Sequence, residues 1–301
     1  MLGALPTHGR YDHSSIVARP AWQWPGGQRL AVYVGMNLEH FAFGQGAGAQ
    51  LVAGSAQPDV LNHSWRDYGN RVGVWRCLEL FDALRLPVGA LVNTAMYDHC
   101  PDVVQAFARR GDELIAHGHT NAQRQGELPE AQEHALIAHC RARMLAEHGA
   151  APQGWLSPWI SESAATPELL ARAGFGYTLN WCHDDQPTWL RTQAGPLCAV
   201  PYPQEVNDIP MLIGRQMNAA DFAQLIVDQF DEMLEQARRT AQPLVMGIAL
   251  HPYVVGQPYR LRHLRGALRH VVTKAGGCAR EDVWITTPGP IARAYAQAVP
   301  A

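Results

Sequence analysis

The chain has 301 residues, 47% of them hydrophobic and 17% charged, enough to bury one large core or two modest ones. Its formal net charge of −3 leaves no basic field to attract nucleic acid or an anionic membrane surface. The basic residues are all arginine except Lys274, which excludes a Walker phosphate loop, a mid-chain Schiff base and a carboxylated lysine bridging two metals.

The first 25 residues read as a polar lead-in. They lack the charged start and apolar run of a signal peptide. No stretch of the chain has the roughly 18 consecutive apolar residues of a membrane span, so a soluble, cytoplasmic protein is expected. Six cysteines (77, 100, 140, 182, 198 and 278) form no CxxC pair and read as reduced, mostly buried thiols.

After WPGGQR comes an apolar strand over 30–36. A loop rich in Gly, Ala and Gln is expected over 44–64, too long for an ordinary connection and suited to a lid or a contact surface. Helical spacing follows from Arg71 to Leu84, then a short strand in VGALVNT. Helix 101–110 opens on a proline, and DELIAHGH is a strand that ends on polar groups. Helix 129–148 leads to the strand in QGWLSPW, and helix 165–173 stops at Gly174 before FGYTLNW. The strand PLCAVPY, helix 219–239, the apolar strand PLVMGIAL, helix 258–274 and the strand DVWITT complete the alternation. Some seven strand–helix units predict a parallel sheet, either open and doubly wound or closed into a barrel.

Polar residues cluster immediately after these strands: Glu39–His40, His117–Asn121, Ser157–Glu162, Asp184–Asp185, Asn207–Asp208 and His251. The C-terminal ends of parallel strands converge on one face, where sites form. Glu39 is the candidate general base for water, because a partly desolvated carboxylate suits proton transfer. Adjacent residues at a strand end point to opposite faces, so only one of Glu39 and His40 enters a shared pocket unless the strand has turned. The His117–His119 pair, with Asn121 behind it, suggests a metal site. Asp184 and Asp185 either cap a turn or orient an imidazole. His251 closes the most apolar strand and can protonate a leaving amine. Trp155, Trp159 and Trp181 are candidates to wall the pocket, with Asn207 and Asp208 binding substrate.

The order of these motifs resembles the polysaccharide deacetylase superfamily (carbohydrate esterase family 4, the nodulation-protein-B homology domain) from about Trp24 to Pro288. Within it, the chain is most similar to metal-independent allantoinases and cyclic imide hydrolases. The resemblance implies a single domain over 1–301, built as a distorted (β/α)7-type barrel with its site at the C-terminal strand ends. NLEH places Glu39 in the base position and His40 in a metal-ligand position. GDELIAHGHTN places His117 as the first histidine ligand, with Asn121 where the family has its second. GWLSPW stands in place of Arg-Pro-Pro-Tyr, DDQPTW resembles the fourth motif, and LHPYVVGQPYR resembles the fifth, whose histidine is an acid or binds substrate. The family's usual ligands are one aspartate and two histidines. With His40, His117 and Asn121 instead, a divalent ion, zinc above all, is expected to be held weakly or not required.

The expected activity is hydrolysis of a non-peptide carbon–nitrogen bond in a small amide, cyclic imide or ureide. Glu39 activates water, His251 protonates the departing nitrogen, and Asp184 or Asp185 fixes a histidine or the substrate. His117 or His40, with backbone N–H groups, stabilises the oxyanion. The alternatives are a metal-dependent deacetylase of N-acetylated sugars and an inactive carbohydrate-binding relative. The expected partners are a small-molecule substrate and further copies of the chain, with neither nucleic acid nor membrane.

Overall fold

A computed structural model describes residues 5–277 and 280–301. The first four residues of the lead-in, and Cys278, lie outside the described residues.

The strands are β1 (Leu30–Leu38), β2 (Val88–Val92), β3 (Glu113–Ala116), β4 (Gly154–Trp155), β5 (Tyr177–Thr178), β6 (Thr188–Leu190), β7 (Leu197–Ala199), β8 (Leu244–Leu250) and β9 (Val283–Thr286). The helices are α1 (Val60–Tyr68), α2 (Val74–Leu84), α3 (Met96–His99), α4 (Pro101–Arg110), α5 (Glu130–His148), α6 (Thr166–Arg172), α7 (Ala219–Thr240), α8 (Pro252–Val255), α9 (Pro258–Gly276) and α10 (Pro288–Ala298).

β1 is buried along its whole length. A strand covered on both faces reads as an unbroken apolar run, as LAVYVGM does. Leu30, Val32, Val34, Met36 and Leu38 pack outward against the helices. Ala31 and Tyr33 face an inner cluster with Leu91, Ile115, Tyr177 and Val200. The sheet runs β6–β7–β5–β4–β3–β2–β1–β8, with β9 also pairing with the start of β1. Every pairing is parallel except β6 against β7. The chain beyond β7 then comes round to β8. The Ala249 N–H donates to Val206 O at 2.9 Å, and Tyr33 Oη donates to Pro201 O at 2.6 Å. The sheet is thereby curled into a distorted (β/α) barrel, and the strand C-termini meet at one mouth.

The structure shortens the expected loop. Helix α1 begins at Val60, where Asp59 caps it by accepting from the Asn62 N–H at 3.1 Å. The largely polar sequence HSWRDY had hidden this helix. A wide π-type turn at Gly69–Gly73 joins α1 to α2 and lies against the turn after β8. A side chain on Gly73 would fall 2.2 Å from Pro252 O, so only glycine lets the two backbones approach. β6 and α10 were also unforeseen. No helix among the described residues is long and apolar enough to cross a membrane. Cys77, Cys140 and Cys198 are buried and free as expected, but Cys182 is exposed.

Candidate active site

The ends of β1, β3, β4 and β8 open onto a cavity of about 230 Å3 lined by Asn37, Glu39, His117, Trp159, His251 and Tyr253, among others. Asn37 and Glu39 lie two residues apart and share the inward face of β1. His40 points the other way and stacks on His99, ring centroids 3.9 Å apart and planes at 5°. Strand geometry thus answers which member of the Glu39–His40 pair enters the pocket.

Glu39 is 5% exposed and held on all sides. Tyr253 Oη donates to its Oε2 at 2.9 Å, and Asn121 Nδ2 donates to Oε1. The amide of Asn121 is oriented by Asn93 Nδ2, which donates to Asn121 Oδ1 at 3.0 Å. His117 Nε2 and His251 Nε2 each stand 3.5 Å from Oε1. Burial alone would raise the Glu39 carboxyl, but His251 and His117 outweigh it and bring the pKa to about 2.

His251 is set by Asp208. The segment before Asp208 bridges to β8 at Asn207–Ala249, which brings the carboxylate beside the strand end. Asp208 Oδ2 accepts from the His251 backbone N–H at 2.7 Å, and Oδ1 lies 2.6 Å from the ring Nδ1. Burial works against charging this ring, yet Asp208 and Glu39 raise its pKa to about 10. At neutral pH the cavity therefore holds a carboxylate and an imidazolium side by side. Opposed titrations of this kind assign base and acid.

Asp208, expected to bind substrate, instead sits behind His251 and takes the orienting part assigned to Asp184 or Asp185. Those two aspartates lie elsewhere. The Asp185 carbonyl accepts from Val245 N at 2.8 Å, and Val245 is six residues before His251, about 20 Å back along β8. The chain after β5 runs back to the start of β8, so a motif read as a strand end is carried away from the mouth. Trp155 is fully buried, its Nε1 donating to Gln125 Oε1 and Ser157 Oγ, and belongs to the core. Trp181 packs with His8, Tyr11 and His183 outside the cavity. Trp159 and Asn207 do line it. Trp159 and Ile160 are consecutive non-glycine residues at positive φ, 62° and 53°, a conformation costing on the order of 1–3 kcal/mol each and typical of ligand-facing turns.

Tyr253, Asn37 and Tyr202 were missed as site residues, and Ser157 was named only within the polar cluster Ser157–Glu162. The signal for two of them was present: Asn37 is in phase with Glu39, and Tyr253 lies two residues beyond His251. Tyr202 enters only through the curl of the sheet.

The donor set does not fit a metal ion. His40 faces away, Asn121 Oδ1 already accepts from Asn93, and Asn121 Nδ2 donates to the carboxylate. No group of three or more His, Cys, Asp or Glu among the described residues is placed to hold one. His117 Nδ1 lies 2.7 Å from Leu156 O, an acceptor, so Nδ1 carries a proton and the ring is fixed with Nε2 toward Glu39 Oε1.

No protein-family model matches the chain. A Schizosaccharomyces pombe protein named as a polysaccharide deacetylase is 27% identical over 285 residues, covering 90% of this chain and 86% of its own. A Helicobacter pylori peptidoglycan deacetylase is 23% identical over 251 residues, 72% of this chain and 83% of its own. Among solved structures, Puue allantoinase superposes with a TM-score of 0.81 at 25% identity, covering 97% of this chain and all of its own. A Pseudomonas aeruginosa PAO1 protein named for polysaccharide deacetylase superposes with a TM-score of 0.82 at 25% identity, covering 96% and 99%. The chain is thus similar over most of its length to members of the polysaccharide deacetylase superfamily and to an allantoinase. It is a hydrolase of carbon–nitrogen bonds other than peptide bonds.

Proposed function

We propose that this hydrolase opens a small cyclic imide or ureide with Glu39 as the base for water and His251 as the acid. The observation that carries this reading is the buried pair itself: Glu39 Oε1 and His251 Nε2 face each other at 3.5 Å with opposed pKa shifts. Water gives a proton to Glu39 as its oxygen adds to the ring carbonyl. The carbon–nitrogen bond breaks as His251 Nε2 hands its proton to the departing nitrogen. Asp208 stays bonded to Nδ1 throughout and keeps the ring upright. The proton on Glu39 then crosses to the neutral His251, which restores the starting state.

Three features support a small ring over a sugar chain. The cavity, about 230 Å3, lies below the usual range of about 300–1,000 Å3 for drug-sized ligands. Phe41, Leu156, Trp159, Ile160 and Ile209 make much of its wall apolar. A structural relative over nearly the whole chain is an allantoinase. Residues 45–59 cross the mouth and contribute Ala49, whose carbonyl is held by Arg66 Nη1 at 2.7 Å.

The reading is tested by incubating the purified protein with cyclic imides, cyclic ureides and N-acetylated amino sugars, with and without chelator. Ring opening that survives chelation and disappears in Glu39→Gln is the expected result. Release of acetate only, dependent on added zinc, would overturn it.

A further inference from the structure

Helices α7 and α9 lie side by side on the outside of the barrel and carry opposite charge. On α7, Asp221, Asp228, Glu232 and Glu235 share the solvent face. Helix α9, PYRLRHLRGALRHVVTKAG, contains no acid, and its Arg262, Arg265 and Arg269 fall on one stripe. Arg262 and Arg269 are exposed and Arg265 is half-buried. Asp231, between the two helices, is taken by His270 at 2.9 Å and Lys274 at 3.3 Å. No ion pair reaches the three arginines among the described residues. Asp228 accepts from the neutral Gln224 amide at 2.7 Å, which leaves its charge uncompensated.

Gly266 sits in the middle of the arginine stripe. It is exposed, and an added Cβ would meet nothing within 4 Å. A glycine inside a helix costs about 1 kcal/mol relative to alanine, and no contact within the chain requires the missing side chain. A second helix laid closely against α9 does require it. The register of α7 and α9 points to which helix that is. Both run from the mouth of the barrel back towards the strand starts, so they are parallel. The bonds of Asp231 to His270 and Lys274 bring Asp221 level with Arg262, Leu225 with Gly266 and Asp228 with Arg269. A two-fold axis along the helices preserves these levels and sets each α7 against the α9 of another copy. We propose that α7 and α9 form the isologous interface of a homodimer. Asp221 and Asp228 meet the arginine stripe of the second copy, and Leu225 seats over its glycine. Leu225 is half-buried in a groove that Asp221, Asp228 and Glu232 border. A polyanion fits this surface worse, because the acid row of α7 stands beside the arginines.

The test is sedimentation equilibrium of the full chain at about 50 mM and about 500 mM salt. The wild type is expected to dimerise, at least about tenfold more weakly at the higher salt. Asp228→Arg and Arg269→Glu each place like charges together twice per dimer, and each should weaken association at least about a hundredfold. The double variant Asp228→Arg/Arg269→Glu exchanges the two charges and should restore the dimer. Gly266→Gln should keep the circular dichroism of the wild type and lose the dimer. A monomer at low salt, a dimer indifferent to both charge reversals, or a double variant no tighter than the single ones would overturn the interface. Retention of a monomer on heparin, lost in Arg269→Glu, would overturn it in favour of a polyanionic partner.

Discussion

Two cavities in this molecule have similar ingredients and different chemistry. The strand-end cavity measures about 230 Å3. The other, about 940 Å3, lies under the lead-in and is bordered by Arg19, Trp22, Asp184, Asp185, Trp189 and Tyr295. The second is larger and carries three acids, Asp12, Asp184 and Asp185. Yet Asp184 is bound by both arms of Arg19, Nη1 reaching Oδ1 at 2.8 Å, a bidentate pair that occupies both carboxylate oxygens. In the smaller cavity Glu39 meets no arginine within ion-pairing distance. Its neighbours are two imidazoles, an amide and a phenol, groups that hold a carboxylate and exchange protons with it or its ligand. The lesson is that pairing, more than size or residue type, separates a working acid from a structural one.

The contrast breaks if both acids matter equally. Glu39→Gln should lower kcat/KM by about 10^3-fold or more while Asp184→Asn stays within about twofold, both read by steady-state kinetics on variants with unchanged circular dichroism. Trp155→Ala sharpens it from the packing side. This tryptophan is fully buried, so chemical denaturation should show a loss of about 3–5 kcal/mol.

Asp208→Asn should cost about 10–100-fold in kcat and leave KM nearly constant. It should also shift the pH profile. With Glu39 at about 2 and His251 at about 10, activity is flat across neutrality and falls as pH rises through about 10. Removing Asp208 deletes the leading support of the imidazolium, so the alkaline limb must move to lower pH. The same shift has a sign for stability. A histidine raised above its unfolded value of about 6.5 stabilises the fold fully below that pH and loses the contribution as pH rises through about 10. The thermal midpoint should therefore decline on the alkaline side, and the decline should be shallower in His251→Gln. The smallest expected effect is that of chelation, which should leave the imide-opening rate unchanged within error.

Much of the architecture was legible along the chain. Runs such as LAVYVGM and PLVMGIAL read as strands because a sheet covered on both faces needs no polar alternation, and glycine or proline marked most helix ends. The polar residues after those strands pointed correctly to Glu39, His117, Asn121 and His251 as neighbours, since parallel strands deliver their C-termini to one face whatever the loops do. Helix α1 escaped because its apolar stripe is thin and its support comes from the Asp59 cap and from packing against the turn at Pro252–Tyr253.

The sequence by itself determined the strand–helix order, the in-phase pair Asn37 and Glu39, and a histidine at the end of β8. Only the tertiary structure decided which aspartate serves that histidine. Asp208 and Asp184 look alike in one dimension, and the curl of the sheet brings one to β8's C-terminal end while the descending chain carries the other to its start. It also decided that Asn121 donates to Glu39 and that Tyr253 closes on the other carboxylate oxygen. Both depend on which neighbours arrive from distant strands, and nothing local encodes that.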